Sequence, residues 1–570
     1  MVSGEMEGKA EGPGRDTEST ARSLLALARE HQRAGRIDEA EAAYRRLIET
    51  APDLPLPRHQ LGLLYARTGR PARAIEHFAA ATRLSSENPA YFNDLGHACA
   101  AAGRMAEAKA AYCRAIALRP DAADGHFNLG NLHRQQGELA AAAAAYRRAI
   151  AAAPDALHAY INLGVTLQDL AAFDEARQIL EQATAMAPGS FEAHFNLGVI
   201  LDAQRRLEDA AAAYRRAIAI RPDAAGAHLN LGTVLQNQHR LDAAIACYQR
   251  AAALDPTLAQ AHVNLGAALH ESGDAAGSLA AIRRALELEP SDAQSHANLA
   301  LTLLELEDPE GAELAFRRAL ALDPALTAAK AHFAILLQRI GKLDEARRLL
   351  DYTSLLETRR IERVAGWPTP TAFNAALAQY VYGHPTLQRD PPARATQHGS
   401  QTLEILNCDD PPIAALQRFF EAAVADYLAR LSAADMPFAV SAPPAWKLHG
   451  WAVVLRAGGY QLAHFHPAAV VSGVYYVQIP GAVKSTEAGE AGFIKFGDPY
   501  GGMAGSHAPS PPLTATVKPE EGKLILFPAY FWHHTIPFED SRDRICIAFD
   551  VIPDDRRGGR DEAEAMLRPS

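Results

Sequence analysis

PDAADGHFNLGNLHRQQGELAAAAAAYRRAIAAAP, residues 120–154, begins and ends on proline. The interval repeats: Pro120, Pro154, Pro188, Pro222, Pro256, Pro290 and Pro324 are each 34 residues apart. Two further steps back reach Ser86 and Pro52. A leucine–glycine pair recurs at the same step, from Leu61-Gly62 through Leu129-Gly130 to Leu265-Gly266. Leu27-Ala28, Leu299-Ala300 and Phe333-Ala334 complete the series, which gives ten units from about 21 to 360. Each unit reads as two helices. In residues 120–154 the first carries Leu129 and Gly130 and stops at Gly137, and the second runs through Ala142, Tyr146 and Ala149 to Pro154. Fixed-period self-similarity of this kind predicts stacked helix pairs, a solenoid with a concave face.

Small residues recur where two helices must approach closely: Ala40, Ala74, Ala108, Ala142, Ala176, Ala210, Ala244, Ser278, Ala312 and Ala346. Aromatics four positions later (Tyr44, Phe78, Tyr112, Tyr146, Tyr214, Tyr248, Phe316) are expected to fill the core between helices. Period and pattern together resemble the tetratricopeptide repeat.

One position asks for more than packing. Asn128, Asn162, Asn196, Asn230, Asn264 and Asn298 precede the Leu-Gly pair or its equivalent, with Asp94 in the same place one unit earlier. Asparagine is a poor helix former, so six at one helical position carry a cost. A row of side-chain amides can donate to and accept from an extended peptide backbone. The row resembles the asparagine ladder in the repeats of O-linked N-acetylglucosamine transferases, and that resemblance implies a polypeptide partner on the concave face. Copying of one ancestral unit is the competing explanation. His126, His194, His228, His262 and His296, with Tyr160 in the same place, are expected to pack or cap, because residues a full repeat apart cannot share an ion.

Composition sets the outer limits. In 570 residues, 22% are charged and 48% hydrophobic, which is the balance of folded globular domains. A net charge of −11 speaks against a nucleic-acid partner. Five widely spaced cysteines without a CxxC speak against a disulfide framework or a thiolate zinc site. No apolar run suits a membrane span, and residues 1–20 lack the apolar centre of a signal peptide. A disordered tail over 1–20, no membrane association and a cytoplasmic location are the expectations.

After about 360 the period stops. Residues 361–445 read as a linker and helical support, with a helix over about 412–432 presenting Leu416, Phe419, Phe420, Val424, Leu428 and Leu431 on one face. From Trp446 to about 553 the pattern is β: WAVVLRAG, VVSGVYYVQI, GFIKFG, KLILFP and RICIAFDVI are short apolar runs punctuated by Gly and Pro. Short strands without interleaved helices predict a sandwich, jelly roll or barrel. Residues 554–570 form a polar tail. The fold class is thus α + β and multidomain, an all-α repeat solenoid followed by a β domain.

Histidines gather in the β region: His464-Phe465-His466 before one strand and His533-His534 near the end of another. Residues i and i+2 of a strand face one side, so His464 and His466 are expected to point together, with a third imidazole from a neighbouring strand completing one face of a metal. The runs HFHPAAVVSGVYYVQIP, GFIKFGDP, GKLILFPAYFWHHTIPF and RICIAFDV resemble the 2-oxoglutarate/iron(II) oxygenase family found behind tetratricopeptide repeats, as do ATQHGSQTLEIL and HGWAVVLRAGGYQLAHFH upstream. The resemblance covers about 370–553. It implies a double-stranded β-helix (jelly roll), Fe(II) held by His464, His466 and His533, and 2-oxoglutarate as cosubstrate, its distal carboxylate on Arg544 with Tyr476. Arg542 competes with Arg544, and His534 with His533. The wider superfamily carries Asp or Glu where His466 stands, so Glu487, Glu490 and Asp498 are the nearby carboxylates to watch.

The leading expectation is a dioxygenase that hydroxylates a protein or peptide captured by the repeats. A repeat scaffold with a catalytically inactive β domain is the alternative. A cupin-type metal enzyme is disfavoured, since Val470 and Val471 stand where that motif expects glutamate. The segment Pro499–Pro512 is long and rich in small residues, as lids and binding loops are, and contains His507.

Overall fold

In the computed structural model the described residues are 13–391, 394–433, 443–484, 489–497 and 513–554. They divide into two compact units, Met1–Val234 and Leu235–Ser570. The loop at 499–512, Glu487, Asp498, the first twelve residues and the tail after 554 lie outside the described residues. A helix starts at Pro13 and runs to Arg33, so the tail expected over 1–20 is helical from residue 13 onward.

Ten helix pairs account for residues 13–349, in the expected 34-residue step: Ala123–Gln135 with Leu139–Ala152, then Leu157–Asp169 with Phe173–Met186, and so on. The ten small residues named above are fully buried. Six of the seven glycines of the Leu-Gly pairs sit where a Cβ would meet a side chain of the paired helix at under 3 Å. A Cβ on Gly130 would sit 2.7 Å from the Tyr146 ring, and one on Gly96 2.5 Å from Tyr112. The aromatic at that place is almost fully buried in every unit that has one, and full burial of such a side chain is worth about 1.5–3 kcal/mol.

The turn between the paired helices shows the same period at the backbone level. Residues 35, 69, 103, 137, 171, 205, 239, 273, 307 and 341 all have positive φ. Six are glycine, but Ala171, Arg205, His239 and Glu307 adopt φ of 56–58° with a side chain in place. Stacking evidently overrides the local cost, about 1–2 kcal/mol for an L-residue.

Ten strands follow: β1 (Glu357–Arg360), β2 (Gln388–Arg389), β3 (Thr396–Gln401), β4 (Trp446–Gln461), β5 (Val471–Gln478), β6 (Ile494–Phe496), β7 (Ala515–Val517), β8 (Lys523–Pro528), β9 (His533–Thr535) and β10 (Arg544–Pro553). Seven form one antiparallel sheet, ordered β1-β8-β5-β10-β4-β3-β2, and three form another, β7-β6-β9. The result is the two-sheet jelly roll that the short apolar runs predict. The stretch read as linker contributes more than helices, since β2 and β3 extend the large sheet and β1 pairs with β8 just before it. Their sequences, ETRR, QR and TQHGSQ, carry almost no apolar signal. Sheet pairing alone makes them strands.

Strand β5, inside the large sheet next to β10, is buried along nearly its whole length. Behind it pack the helices Pro370–Gly383 and Pro411–Ala433. Tyr475 donates to Asn374 at 2.7 Å, and Phe420 stacks on Phe549 of β10 at 4.2 Å.

In the second unit the last repeats and the jelly roll share one hydrophobic core, from Ala297 through Phe333 and Leu349 to Val551. Polar contacts fix the junction. Thr327 donates to the Ala469 carbonyl at 3.0 Å, Tyr530 to the Leu349 carbonyl at 2.8 Å, and the Leu513 amide to Gln338 at 2.7 Å. His332, on the helix Thr327–Arg339, meets Phe465 and Trp532 edge-on. Compact packing therefore continues past the residue where the repeat period ends. Among the described residues no helix is long and apolar enough to cross a membrane.

Candidate metal centre

His464 and His466 lie in the irregular segment after β4, not within a strand. The alternation expected of them survives because one antiparallel bridge pins the segment to β9. The His464 amide donates to the His533 carbonyl at 3.0 Å, and the His533 amide returns the bond at 2.9 Å. Two residues on, the His466 amide donates to the Ala529 carbonyl at 3.0 Å. Ring centroids are then 4.3 Å (464–533), 5.1 Å (464–466) and 5.2 Å (466–533) apart. One ligand atom from each of the three lies within 4.8 Å of the others. No other group of three metal-ligating side chains this close occurs among the described residues.

The partner of each Nδ1 decides which nitrogen faces inward. His464 Nδ1 is 2.6 Å from the Leu462 carbonyl, and His533 Nδ1 is 2.9 Å from the Phe531 carbonyl. A carbonyl only accepts, so both Nδ1 atoms carry the proton and both Nε2 lone pairs are left for a ligand. His466 Nδ1 is 2.9 Å from Asp550 Oδ2, and Ser472 donates to Asp550 Oδ1 at 2.6 Å. Burial, reinforced by the adjoining His466, pushes His464 down to about 3. Burial and the imidazoles of His464 and His466 hold His533 well below the ordinary histidine value. Neutral imidazoles are what a divalent cation requires.

The three rings line a cleft of about 380 Å³, open water at its mouth included, together with Trp451, Gln461 and Arg544. Arg544 is 1% exposed and has no ion-pair partner among the described residues. Its Nε meets no acceptor, and neither does the hydroxyl of the fully buried Tyr476, whose ring lies 5.0 Å from the guanidinium. Burial pushes the Tyr476 phenol up. An uncompensated buried guanidinium is costly, and a bidentate anion is its natural complement. The arginine, the unpaired phenol and the three convergent nitrogens thus suit a metal with a chelating dicarboxylate beside it.

The open pairs separate as follows. Arg542 is exposed and bonds Gln478 at 3.2 Å, whereas Arg544 enters the cleft. His534 stands opposite Lys495 in the β9–β6 pairing, on the other face from His533. Glu490 accepts from Thr516 at 2.8 Å on the surface and does not join the histidines. Asp550 and Ser472 were missed at the level of sequence. Their only signal is a polar residue inside each of two apolar strands, VVSGVYY and RICIAFDV.

In the repeats, the histidines at the capping position behave as expected. Nε2 of His126, His194, His228, His262 and His296 lies 2.9–3.3 Å from the carbonyl of the proline six residues earlier. Tyr160 makes the same bond through its hydroxyl. Of the asparagines, Asn128 donates to Asn93 and Asn162 to Asn131, each at 2.9 Å, and Asn230 is 3.4 Å from the Tyr214 hydroxyl. Asn264 and Asn298 accept from Gln260 and Gln294. Asn196 is half-buried in its helix.

Residues 449–550 match the family described as "Putative 2OG-Fe(II) oxygenase". Residues 25–89, 59–114, 93–156, 161–225 and 271–327 match "Tetratricopeptide repeat", and 238–273 match "TPR repeat". Among solved structures the chain is similar to YrrB, titled a TPR protein with an unusual peptide-binding site, at 21% identity over 33% of this chain and 96% of that one (TM-score 0.30). It is also similar to MamA, at 25% identity over 30% and 92% (TM-score 0.28), and to pilF of Pseudomonas aeruginosa, at 19% over 36% and 94% (TM-score 0.33). No curated protein matches. The chain therefore carries tetratricopeptide repeats and a domain of the 2-oxoglutarate/iron(II) oxygenase type.

Proposed function

We propose that the chain is a 2-oxoglutarate- and iron(II)-dependent dioxygenase that hydroxylates a polypeptide held by its repeats. The observation that carries the reading is the pairing of three convergent imidazoles with a buried arginine that has no counter-anion among the described residues. His464, His466 and His533 would hold iron(II) through Nε2. Arg544 and Tyr476 would pair with the distal carboxylate of 2-oxoglutarate. When bound, the metal and cosubstrate supply oxidation of an unactivated C–H bond by dioxygen, with 2-oxoglutarate leaving as succinate and carbon dioxide.

The chain's own residues do the positioning. The Leu462 and Phe531 carbonyls lock two imidazole tautomers, and the backbone bridge between His464 and His533 sets the ring spacing. Trp451 stacks against His466 and, with Phe527, lines the cleft. The asparagine row would grip a substrate backbone with little regard to its side chains, and Asn128, Asn162, Asn196, Asn230, Asn264 and Asn298 are assigned that role.

Anaerobic addition of iron(II) and 2-oxoglutarate tests the reading. A visible metal-to-ligand charge-transfer band is expected, and it should be lost in Arg544→Ala. Bound iron without the band would favour the alternative, a repeat scaffold with an inactive β domain, which the histidine at position 466 in place of a carboxylate recommends.

A further inference from the structure

Two of the three imidazoles are anchored by neutral carbonyls, and the third by a carboxylate. Asp550 is 2% exposed and sits on β10 between two strands, opposite Ser472 of β5 and His449 of β4. One oxygen meets His466 Nδ1 at 2.9 Å, and the other accepts from Ser472 at 2.6 Å. A carboxylate buried in the middle of an apolar sheet is expensive, so both of its oxygens need partners, and both have them.

We propose that Asp550 is a positioning residue for the metal, and that the His466–Asp550 pair does together what a single carboxylate ligand would do at position 466. The inference rests on the metal site proposed above. A carboxylate anchor fixes the tautomer that leaves Nε2 unprotonated and raises the basicity of that nitrogen. It also places one negative charge next to a site whose three candidate ligands are neutral. The charge missing from the first ring of ligands is supplied one hydrogen bond further out. Ser472 holds the second oxygen of the carboxylate, and β10 is paired on both sides at this residue.

The test uses the full chain, stripped of metal by chelator and titrated anaerobically with cobalt(II), read by its visible d–d absorption. Asp550→Asn keeps the shape and a hydrogen-bond acceptor but removes the charge. Affinity is expected to fall about 10–100-fold, the usual effect of losing an outer-shell partner, with a shifted d–d spectrum and a thermal midpoint of the metal-free protein close to wild type. Cobalt affinity within twofold of wild type in Asp550→Asn, while His466→Ala loses binding, would overturn the proposal and leave the oxygenase reading intact. Wild-type protein that binds no cobalt(II) would instead sink the metal site itself. Should Asp550→Asn not fold, imidazole ¹⁵N spectroscopy of wild-type metal-free protein decides the matter. His466 protonated on Nδ1 supports the proposal, and His466 protonated on Nε2 refutes it.

Discussion

Histidine is put to opposite uses in the two parts of this chain. In the repeats, each of five histidines spends Nε2 on the carbonyl of a proline six residues back, in the turn that leads into its own helix. In the jelly roll, three histidines spend Nδ1 on backbone or carboxylate and turn Nε2 toward one another. Ring nitrogens bound locally make a cap, whereas ring nitrogens left over by their anchors can hold a metal. Residue type alone does not separate the two cases; the choice of nitrogen does.

The largest effect that could break this contrast is on metal binding. His533→Ala is expected to abolish stoichiometric iron(II) or cobalt(II) binding, measured by metal analysis after desalting, while His194→Ala in the repeats leaves it unchanged. Full occupancy in His533→Ala would collapse the distinction.

Next in size is a charge at the junction inside the second unit. Lys330, 4% exposed and 5.6 Å from the Tyr530 ring, is pushed down to about 8 by burial. The unfolded chain holds that proton up to the ordinary lysine value of about 10.4. Between those two values the unfolded state binds more protons, so stability rises with pH there and the penalty is fully present below pH 8. Lys330→Met is expected to stabilise the second unit at pH 7 by about 3 kcal/mol and to flatten its stability between about pH 8 and 10.4, as read by denaturant melts.

Smallest is the effect at the repeat turns. Ala171→Gly relieves a left-handed residue and should add about 0.5–1 kcal/mol, while Gly137→Ala at the equivalent turn should remove about as much. Chemical denaturation of the pair would show whether the turns are equivalent in energy as they are in φ (56° and 75°).

The repeats were readable almost residue by residue because their contacts are local and repeat. One unit's small residue and turn recur 34 positions on, ten times in all, and its aromatic recurs in seven of the ten units. The jelly roll offers each signal once. β1, β2 and β3 escaped notice because their residues have no apolar alternation and become strands only through pairing, β1 with β8, β3 with β4 and β2 with β3. The helix expected to begin after residue 20 begins at Pro13, since a polar helical turn looks the same in sequence as a tail.

By itself the sequence determined the repeat architecture, the helical support, the β character of 446–553 and a short list of histidines and arginines. Period, alternation and motif spacing are properties of neighbours along the chain. Only the tertiary structure places Arg544 and His533 in the cleft and Arg542 and His534 outside it. It alone brought Asp550 to His466 across 84 residues and chose which nitrogen of each imidazole stays free. Those outcomes depend on the register of β10 between β4 and β5, and register is set by the packing of the whole sheet, not by any segment within it.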